Sequence, residues 1–303
     1  MNRRKFLQDV GLWSAGFLLS PPIFNITPGL FASTKKAKLV VAEGINYDAL
    51  VENLLRPLGG ISAFVKPGKS VVIKPNMGWD RSPDQAANTH PLIVRSLAEL
   101  ALEAGASKVM VFDRPCNEER RCHHNSGIRP ELEKIKDKRL KCAYIDDRKF
   151  IPVTIKRGQS LKEWAFYKDA LEADCYINVP IAKHHALAGL TLGLKNIMGV
   201  IGGSRGEIHK NMGQNLADLN TVINPALTII DATRILLRNG PVGGNLKDVK
   251  RMDTLIASSD TVAADAYATT LFNLKPDEID STVAAYRSGL GEMNLSKMDV
   301  IKV

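Results

Sequence analysis

The residues of this chain best suited to acid–base chemistry or anion binding are lysines, histidines and asparagines that follow apolar segments. Lys74 and Asn76 come immediately after one such segment, and Lys183, His184 and His185 come shortly after another. A lysine ammonium binds phosphate or carboxylate, and an imidazole titrates near neutrality and transfers protons. Neighbouring residues on a strand point to opposite faces, so at most one of the two histidines is expected in a site. The pattern predicts a site that holds a small anion.

Further polar groups of the same kind occur later in the chain. Asp113 and Asp231 each follow a run rich in valine or isoleucine, and Lys195 and Asn196 lie in a glycine-rich stretch that continues through Gly199. The stretch matches neither the P-loop nor the dinucleotide-binding fingerprint, but its backbone N–H groups can still cradle an anion. A buried Lys195 would need a negative partner, either a ligand or a neighbouring carboxylate.

Hydrophobic periodicity indicates which elements position these residues. Nearly continuous apolar runs predict strands that are buried on both faces, as in parallel sheets, and helix-period segments lie between several of them. This alternation predicts an α/β fold with a mostly parallel, doubly wound sheet, and the charge-rich segment 115–158 is expected to form a small capping insertion. The predicted strands are 38–42, 70–73, 108–112, 175–179, 227–230 and 254–257, and the clearest predicted helices are 91–104 and 261–271.

Ligands of open α/β sheets bind beyond the carboxyl ends of the strands. Five predicted strands are followed by polar residues, and Asp260 follows the last of them, so parallel strands would bring all five sets to one rim of the sheet. The first hypothesis is an enzyme that acts on a small anionic substrate or cofactor, with His185 as general acid–base. Lys74, Lys183 and Lys195 would hold negative charge, while Asn76 and Asp231 would orient groups. The predicted catalytic residues are Lys183, His185 and Asp231, and the predicted ligand-holding residues are Lys74, Asn76, Asp113, Lys195, Asn196 and Gly199.

Two alternatives stay open at this level. One is a non-catalytic module that binds a cofactor or a partner, and the other is a metal-dependent hydrolase that uses His185, Asp113 and Asp231. Sequence alone does not bring those three side chains together, so no metal ligand is assigned. The residues identify no particular cofactor.

Composition supports a globular protein with an acidic ligand or partner. The chain has 45% hydrophobic and 24% charged residues and a formal net charge of +9. An excess of base favours an anionic ligand, an acidic partner or membrane phosphate. A nucleic-acid partner is disfavoured, because the basic residues are dispersed and no recognition motif is present.

The four cysteines do not follow a metal-binding spacing. They are Cys116, Cys122, Cys142 and Cys175, which match neither zinc-ribbon nor ferredoxin patterns. An oxidising compartment would permit a disulfide between Cys116 and Cys122, and free buried thiols are the alternative.

The N-terminal segment is typical of a twin-arginine export signal. Arg3 and Arg4 precede Lys-Phe-Leu and a short apolar stretch that ends before two prolines. Processing after Ala32 would leave residues 33–303 as a single folded α/β domain with a periplasmic or other exported location. The partner at this stage would be the twin-arginine translocation machinery. The stretch is short for a stable membrane span, and an uncleaved membrane anchor is the alternative.

The order of these motifs resembles one family. Over nearly all of residues 33–303, the chain is similar to the bacterial and archaeal family known as domain of unknown function 362. The motifs that carry the resemblance are Ile73-Lys74-Pro75-Asn76, Ala104-Gly105-Ala106, Ile177-Asn178-Val179-Pro180 with Lys183 and His185, the segment 191–196 (TLGLKN), Ile230-Asp231-Ala232, Asn239-Gly240-Pro241, and Asp260 with Ala264-Asp265.

The resemblance implies a fold and a site without implying an established reaction. The family's lysine-x-histidine pattern fits Lys183 and His185, with His184 in the variable middle position. Many members carry another lysine just after the proline, where this chain has Ile181, so one cationic contact is expected to be missing. Some relatives contain ferredoxin-type iron–sulfur modules, and this sequence lacks the cysteine run that would hold such a cluster.

Overall fold

Segments rich in valine and isoleucine form a ten-stranded sheet in the computed structural model, which describes residues 36–303. The main path runs β12-β1-β11-β10-β7-β2-β3-β4; β8 pairs with β10 and β9, and β5 and β6 form a separate two-stranded sheet. The strands are β1 (Ala37–Glu43), β2 (Ser70–Pro75), β3 (Lys108–Val111), β4 (Leu140–Cys142), β5 (Phe150–Thr154), β6 (Glu163–Tyr167), β7 (Cys175–Val179), β8 (Ile181–His185), β9 (Gly189–Thr191), β10 (Leu227–Leu236), β11 (Val249–Ser258) and β12 (Met298–Lys302).

Helices cover both faces of this sheet. The α-helices are α1 (Tyr47–Leu55), α2 (Pro91–Glu103), α3 (Glu119–Asn125), α4 (Ile128–Leu132), α5 (Lys168–Leu171), α6 (Gly193–Asn196), α7 (Met212–Asn220), α8 (Thr261–Thr269) and α9 (Asp280–Arg287). Short 3-10 helices occur at Arg56–Leu58, Ile61–Ala63, Pro83–Gln85, Asp147–Lys149, Ile197–Val200, Arg205–Asn211, Leu246–Asp248, Thr270–Phe272, Pro276–Glu278 and Leu295–Lys297.

Alternation along β2 shows how one strand serves two cores. Val71 and Ile73 pack into the core that also contains residues of α1 and α2. Val72 points the other way, into a cluster with residues of β6 and α7. Because successive strand side chains face opposite sides, a continuous apolar run is what a sheet buried on both faces requires. The prediction of a mostly parallel, doubly wound α/β sheet is therefore confirmed.

Two strands of the ten-stranded sheet depart from the parallel arrangement: β9, which pairs antiparallel with β8, and β11. β11 runs antiparallel to both β1 and β10, and its last residue, Ser258, pairs with Leu39 and Thr228 near the starts of those strands. Asp260 therefore lies at the edge opposite to the carboxyl ends of the parallel strands. It caps α8 by accepting a hydrogen bond from the backbone N–H of Ala263 at 2.9 Å. The expectation that this strand end joins the common rim is wrong, because apolar periodicity does not encode strand direction.

β10 also extends beyond its predicted end. The predicted strand stops at Ile230, but β10 continues to Leu236 alongside both β7 and β8. Pro180 separates those two strands, and its carbonyl accepts a hydrogen bond from the Asp231 N–H at 2.8 Å. Asp231 consequently lies inside a strand and not at its end.

The segment 115–158, predicted to form a small capping insertion, also supplies a strand of the main sheet. It contributes α3, α4 and β5, while its β4 pairs in parallel with β3 at the edge of the main sheet. Residues 36–303 form one compact unit. No helix among them is both long and apolar enough to cross a membrane. The export signal proposed for residues 1–32 lies outside the described residues.

All four cysteines are free thiols in this structure. Cys116 is exposed, Cys142 is half-buried, and Cys122 and Cys175 are buried. The alternative of unpaired thiols therefore describes these residues, and the structure contains no bridge between Cys116 and Cys122.

Candidate functional site

The ends of β2 and β3 bring a buried ion pair together. Lys74 Nζ lies 2.8 Å from Asp113 Oδ1, and both side chains are almost completely excluded from solvent. The second oxygen of Asp113 accepts a hydrogen bond from the Met77 N–H at 2.6 Å. Lys74 also donates to Asn196 Oδ1 at 2.7 Å. Although sequence analysis assigned Lys74 to a ligand, its charge already has an internal partner.

Gly199 allows the backbone to pass directly over this ion pair. A Cβ at this position would lie 1.7 Å from Asp113 Oδ1 and 2.5 Å from Lys74 Nζ. The carbonyl of Gly199 accepts a hydrogen bond from the Arg114 N–H at 2.9 Å, which fixes the approach. Gly199 is therefore a packing requirement of the ion pair as well as part of the cavity lining.

Asparagine side chains connect the strand ends to the glycine-rich segment. Asn196 donates to the carbonyl of Lys74 at 3.1 Å and to Asn178 Oδ1 at 2.9 Å. Asn178 in turn donates to the carbonyl of Gly193 at 3.0 Å. The amide of Asn196 is therefore buried and fully hydrogen-bonded, and it joins β2, β7 and α6.

A buried carboxylate holds the start of α6. Asp265 of α8 accepts hydrogen bonds from the N–H groups of Gly193 and Leu194 at 2.7 and 2.9 Å. Burial raises the pKa of Asp265 to about 7, although these two hydrogen bonds lower it. The first N–H groups of a helix have no partner within the helix, so this carboxylate satisfies two of them. It thereby positions the next residues, Lys195 and Asn196.

β8 places Lys183 and His185 on one face and His184 on the other. Lys183 Nζ donates to Asn76 Oδ1 at 3.2 Å and to the carbonyl of Ala87. His184 faces away from the cavity and accepts a hydrogen bond from the Gly240 N–H at 3.1 Å. The strand periodicity thus separates the two histidines as the sequence predicted.

These side chains surround a cavity of about 470 Å³. Its cationic lining comprises Lys183, Lys195, Arg114 and Arg205, and the carboxylate present among the described lining residues is Asp113, which already pairs with Lys74. The remaining lining residues are Asn76, Gly78, Trp79, Cys116, His185, Ala186, Leu187, Thr191, Asn196, Met198, Gly199, Gly206, His209, Pro241 and Val242.

Lys195 has no counter-charge in this cavity. Lys195 is 7% exposed, and no carboxylate of residues 36–303 lies within salt-bridge distance of its ammonium; the charged group that acts on it most favourably is the thiol of Cys116. Burial lowers the pKa of Lys195 to about 8. The hydroxyl of Thr191, at 4% exposure in the same lining, also lacks a hydrogen-bond partner. A nearly buried ammonium without a carboxylate partner and a buried hydroxyl without a hydrogen-bond partner are groups that an anionic ligand would satisfy.

Lys183, unlike Lys195, has hydrogen-bond acceptors among the described residues, and both of them are neutral. Burial, together with the positive charges of Lys195 and Lys74, lowers the pKa of Lys183 to about 7. Its Nζ also lies 5.8 Å from the centre of the Trp79 ring. An amine that is partly unprotonated near neutrality can accept a proton as well as attract an anion.

His185 is arranged as a hydrogen-bond donor. Its Nδ1 accepts hydrogen bonds from the N–H groups of Leu187 and Ala188, both at 3.2 Å, which places the ring proton on Nε2. Burial and the positive charges of Lys195 and Lys183 lower the pKa of His185 to about 3. The imidazole is consequently neutral near pH 7, and the pKa of Lys183 is better suited to acid–base chemistry at that pH.

Asp231 is not brought to the cavity. Its carboxylate is fully buried and accepts hydrogen bonds from the His90 N–H at 2.7 Å and from the N–H and hydroxyl of Thr233 at 2.9 and 2.7 Å. These contacts join β10 to the start of α2, so Asp231 has a structural role here. Among residues 36–303, no group of three or more histidine, cysteine or acidic side chains is close enough to hold a metal ion.

The structure adds site residues that sequence reasoning missed. Arg205 Nη1 donates to the carbonyl of Arg114 at 2.7 Å, and its Nη2 donates to the carbonyl of Pro115 at 2.8 Å and lies 3.9 Å from Cys116 Sγ. Thr191 is the direct cross-strand partner of Lys183. Arg205 carries no local motif, and the pairing of Thr191 depends on β8 and β9 forming a hairpin.

Comparison with known proteins gives one family match. The model of the family described as domain of unknown function 362 (DUF362) matches residues 71–270. A thylakoid-associated protein of Synechocystis sp. is 31% identical over 257 residues, which cover 80% of this chain and 75% of that protein.

Two solved structures share weak overall similarity. The lactate racemase apoprotein of Thermoanaerobacterium thermosaccharolyticum aligns with a TM-score of 0.48 and 12% identity, over 73% of this chain and 54% of that one. A Thermotoga maritima protein aligns with a TM-score of 0.44 and 13% identity, over 76% of this chain and 60% of that one. The chain thus spans little more than half the length of either structure.

Proposed function

Because this chain belongs to the DUF362 family, whose description names no activity, we propose a function from the cavity itself: the protein binds a small anionic ligand and exchanges a proton with it through Lys183. The ligand's negative charge would lie between Lys195 and Lys183, and Thr191 and His185 Nε2 would donate hydrogen bonds to it.

The ammonium of Lys195, which has no carboxylate partner among residues 36–303, carries this proposal. Burying a charge without a partner is costly, and an anion that arrives with its own acceptor oxygens removes that cost. The neighbouring ion pair of Lys74 and Asp113 is already neutral overall, so it does not supply the missing charge. The cavity interior therefore favours a carboxylate or phosphate over a neutral or cationic molecule.

The chemistry that follows is general acid–base catalysis. Near pH 7 Lys183 is present in both protonation states, which is the condition for an efficient proton donor or acceptor. Lys195 would hold the anionic group of the substrate in place while Lys183 takes or gives the proton. We propose an enzyme of this kind.

Binding of simple anions tests the proposal. Isothermal titration with a monocarboxylate and with inorganic phosphate should show binding to the wild-type protein that Lys195→Met weakens about tenfold to a hundredfold, the value of one charge-assisted hydrogen bond. Lys302→Met, which removes an exposed charge at the end of β12, is the matched control and should bind normally. Equal binding by the Lys195→Met protein would contradict the proposal.

We propose further that residues 1–32 direct export of the folded protein by the twin-arginine route. The paired Arg3 and Arg4 before an apolar stretch support this. Replacing both by lysine should retain the protein in the cytoplasmic fraction of a bacterium that has this pathway. Undiminished export of the double variant would contradict the assignment.

A further inference from the structure

The mouth of the cavity differs in character from its interior. Leu187 lies in the lining with 71% of its surface exposed, and Ala186, Pro241 and Val242 line the same side. Removing apolar surface from water is favourable, so an exposed leucine at the mouth of a binding cavity offers a surface that a ligand can cover. We call these four residues the apolar lip.

The two segments of the lip are fastened to each other. The Ala186 N–H donates to the carbonyl of Gly240 at 3.2 Å, and the Gly240 N–H donates to His184 Nδ1 at 3.1 Å. A Cβ on Gly240 would lie only 1.9 Å from the carbonyl oxygen of His184. The segment that carries Pro241 and Val242 therefore lies directly against the end of β8.

The backbone of Leu187 is hydrogen-bonded to His185, which lines the cavity interior. The N–H groups of Leu187 and Ala188 both donate to His185 Nδ1 at 3.2 Å. His185 is itself in the lining and is 8% exposed. The turn after β8 thus links the donor in the cavity interior to the apolar residue at its mouth.

We infer that the ligand is an amphipathic anion, with its charged group between Lys183 and Lys195 and an apolar chain against the lip. The inference rests on the proposed function, because it takes the anion to bind at Lys195. The buried end of the cavity supplies positive charge and a free hydroxyl, and the exposed end supplies apolar surface. A medium-length carboxylate satisfies both ends, whereas a compact or polyhydroxylated anion satisfies only one.

A chain-length series tests this inference on the full protein. Isothermal titration with butyrate and hexanoate should show affinity rising about fourfold for each methylene that the lip covers, the equivalent of roughly 0.8 kcal/mol. Gluconate has as many carbons as hexanoate but carries hydroxyl groups along its chain, so it should bind less tightly than hexanoate.

A substitution at the lip separates its contribution from that of the lysines. Leu187→Ala should reduce the preference for hexanoate over butyrate, since Leu187 would contact the end of the longer chain. Leu246→Ala is the matched control, because Leu246 is 59% exposed and lies outside the cavity lining. The exposure of both leucines makes unfolding of either variant unexpected, and thermal denaturation checks this.

The outcomes distinguish this inference from the proposed function. Equal affinity for hexanoate, butyrate and gluconate, all dependent on Lys195, would overturn the amphipathic ligand and retain the anion site. Binding that Lys195→Met does not alter would overturn both.

Discussion

Lys74 Nζ lies 2.8 Å from Asp113 Oδ1 in a pair that is almost wholly excluded from solvent. The two residues follow neighbouring parallel strands, β2 and β3, so their encounter results directly from the sheet order. Since each neutralises the other, the positive charge that remains in the cavity lining comes from Lys183, Lys195, Arg114 and Arg205. The ion pair is therefore scaffold, and the unpaired lysines are the groups available to a ligand.

Removing one partner of this pair should destabilise the fold strongly. Lys74→Met would leave Asp113 buried without a counter-charge, and we expect a loss of about 3–5 kcal/mol in the free energy of unfolding. Urea denaturation followed by circular dichroism measures it. Lys69→Met is the control: Lys69 pairs with Asp174 at 3.1 Å on the surface, and its loss should cost less than about 1 kcal/mol. Similar losses in the free energy of unfolding for the two substitutions would show that the buried ion pair contributes no more to stability than the surface pair.

A methyl group at Gly199 should disrupt the same ion pair sterically. The added Cβ would meet Asp113 Oδ1 at 1.7 Å, so Gly199→Ala is expected to lower the free energy of unfolding by about 1–3 kcal/mol or more. A Cβ at Gly206, which lines the same cavity, would have no heavy atom within 4 Å. Gly206→Ala should therefore be almost neutral in the same denaturation assay. A fully stable Gly199→Ala protein would mean that the backbone over the ion pair can move aside.

Anion affinity should fall as the pH rises. The pKa is about 7 for Lys183 and about 8 for Lys195, so both ammonium groups are protonated below these values and lose their charge above them. Only the protonated forms attract an anion, and a bound anion moves the fall to somewhat higher pH because it favours them. Titrations with a carboxylate between about pH 6 and pH 9 measure this. In Lys195→Met, the decrease in anion affinity near pH 8 should disappear, and the decrease near pH 7 should remain. If the affinity of the wild-type protein stays constant between about pH 6 and pH 9, the two lysines do not bind the anion.

The exposed thiol of Cys116 should report the positive charge of the cavity. It lines the cavity 3.9 Å from Arg205 Nη2, with Lys183 and Lys195 in the same lining. We expect iodoacetate, which is anionic, to alkylate Cys116 about tenfold faster relative to neutral iodoacetamide than it alkylates a free cysteine peptide, which corresponds to roughly 1.4 kcal/mol of local attraction. Peptide mass spectrometry measures the rates. The ratio should fall in Lys195→Met; a ratio equal to that of the free peptide would show that the cavity does not concentrate anions.

Local sequence allowed the main elements to be predicted. Runs of valine and isoleucine identified the central strands, and Pro91 at the first turn with Gly105 after the last marked the limits of α2. The alternation of strands with helices likewise predicted the doubly wound sheet. These signals are local, since they depend on side-chain shape and on the backbone preferences of a few neighbouring residues.

Site predictions that depend on residues close together in the sequence agree with the structure better than those that depend on distant residues. Lys183 and His185 share a face because strand side chains alternate, which two residues of spacing suffice to predict. The sequence predicts Asp231 in the cavity because the apolar run ends at Ile230, but β10 continues and Asp231 bonds to His90 and Thr233. The length of that strand depends on pairing with β8 and β11, which its own residues do not specify.

By itself the sequence determined the α/β class, most of the strands and the kinds of polar groups that follow them, because these depend on the local pattern of apolar and polar residues. Which charges are already paired depends on the tertiary fold. The fold joins Lys74 to Asp113, turns Asp260 to the opposite edge and leaves Lys195 without a carboxylate partner among residues 36–303. The physical reason is that charge pairing depends on strand order and direction, and these are set by contacts between residues far apart in the chain.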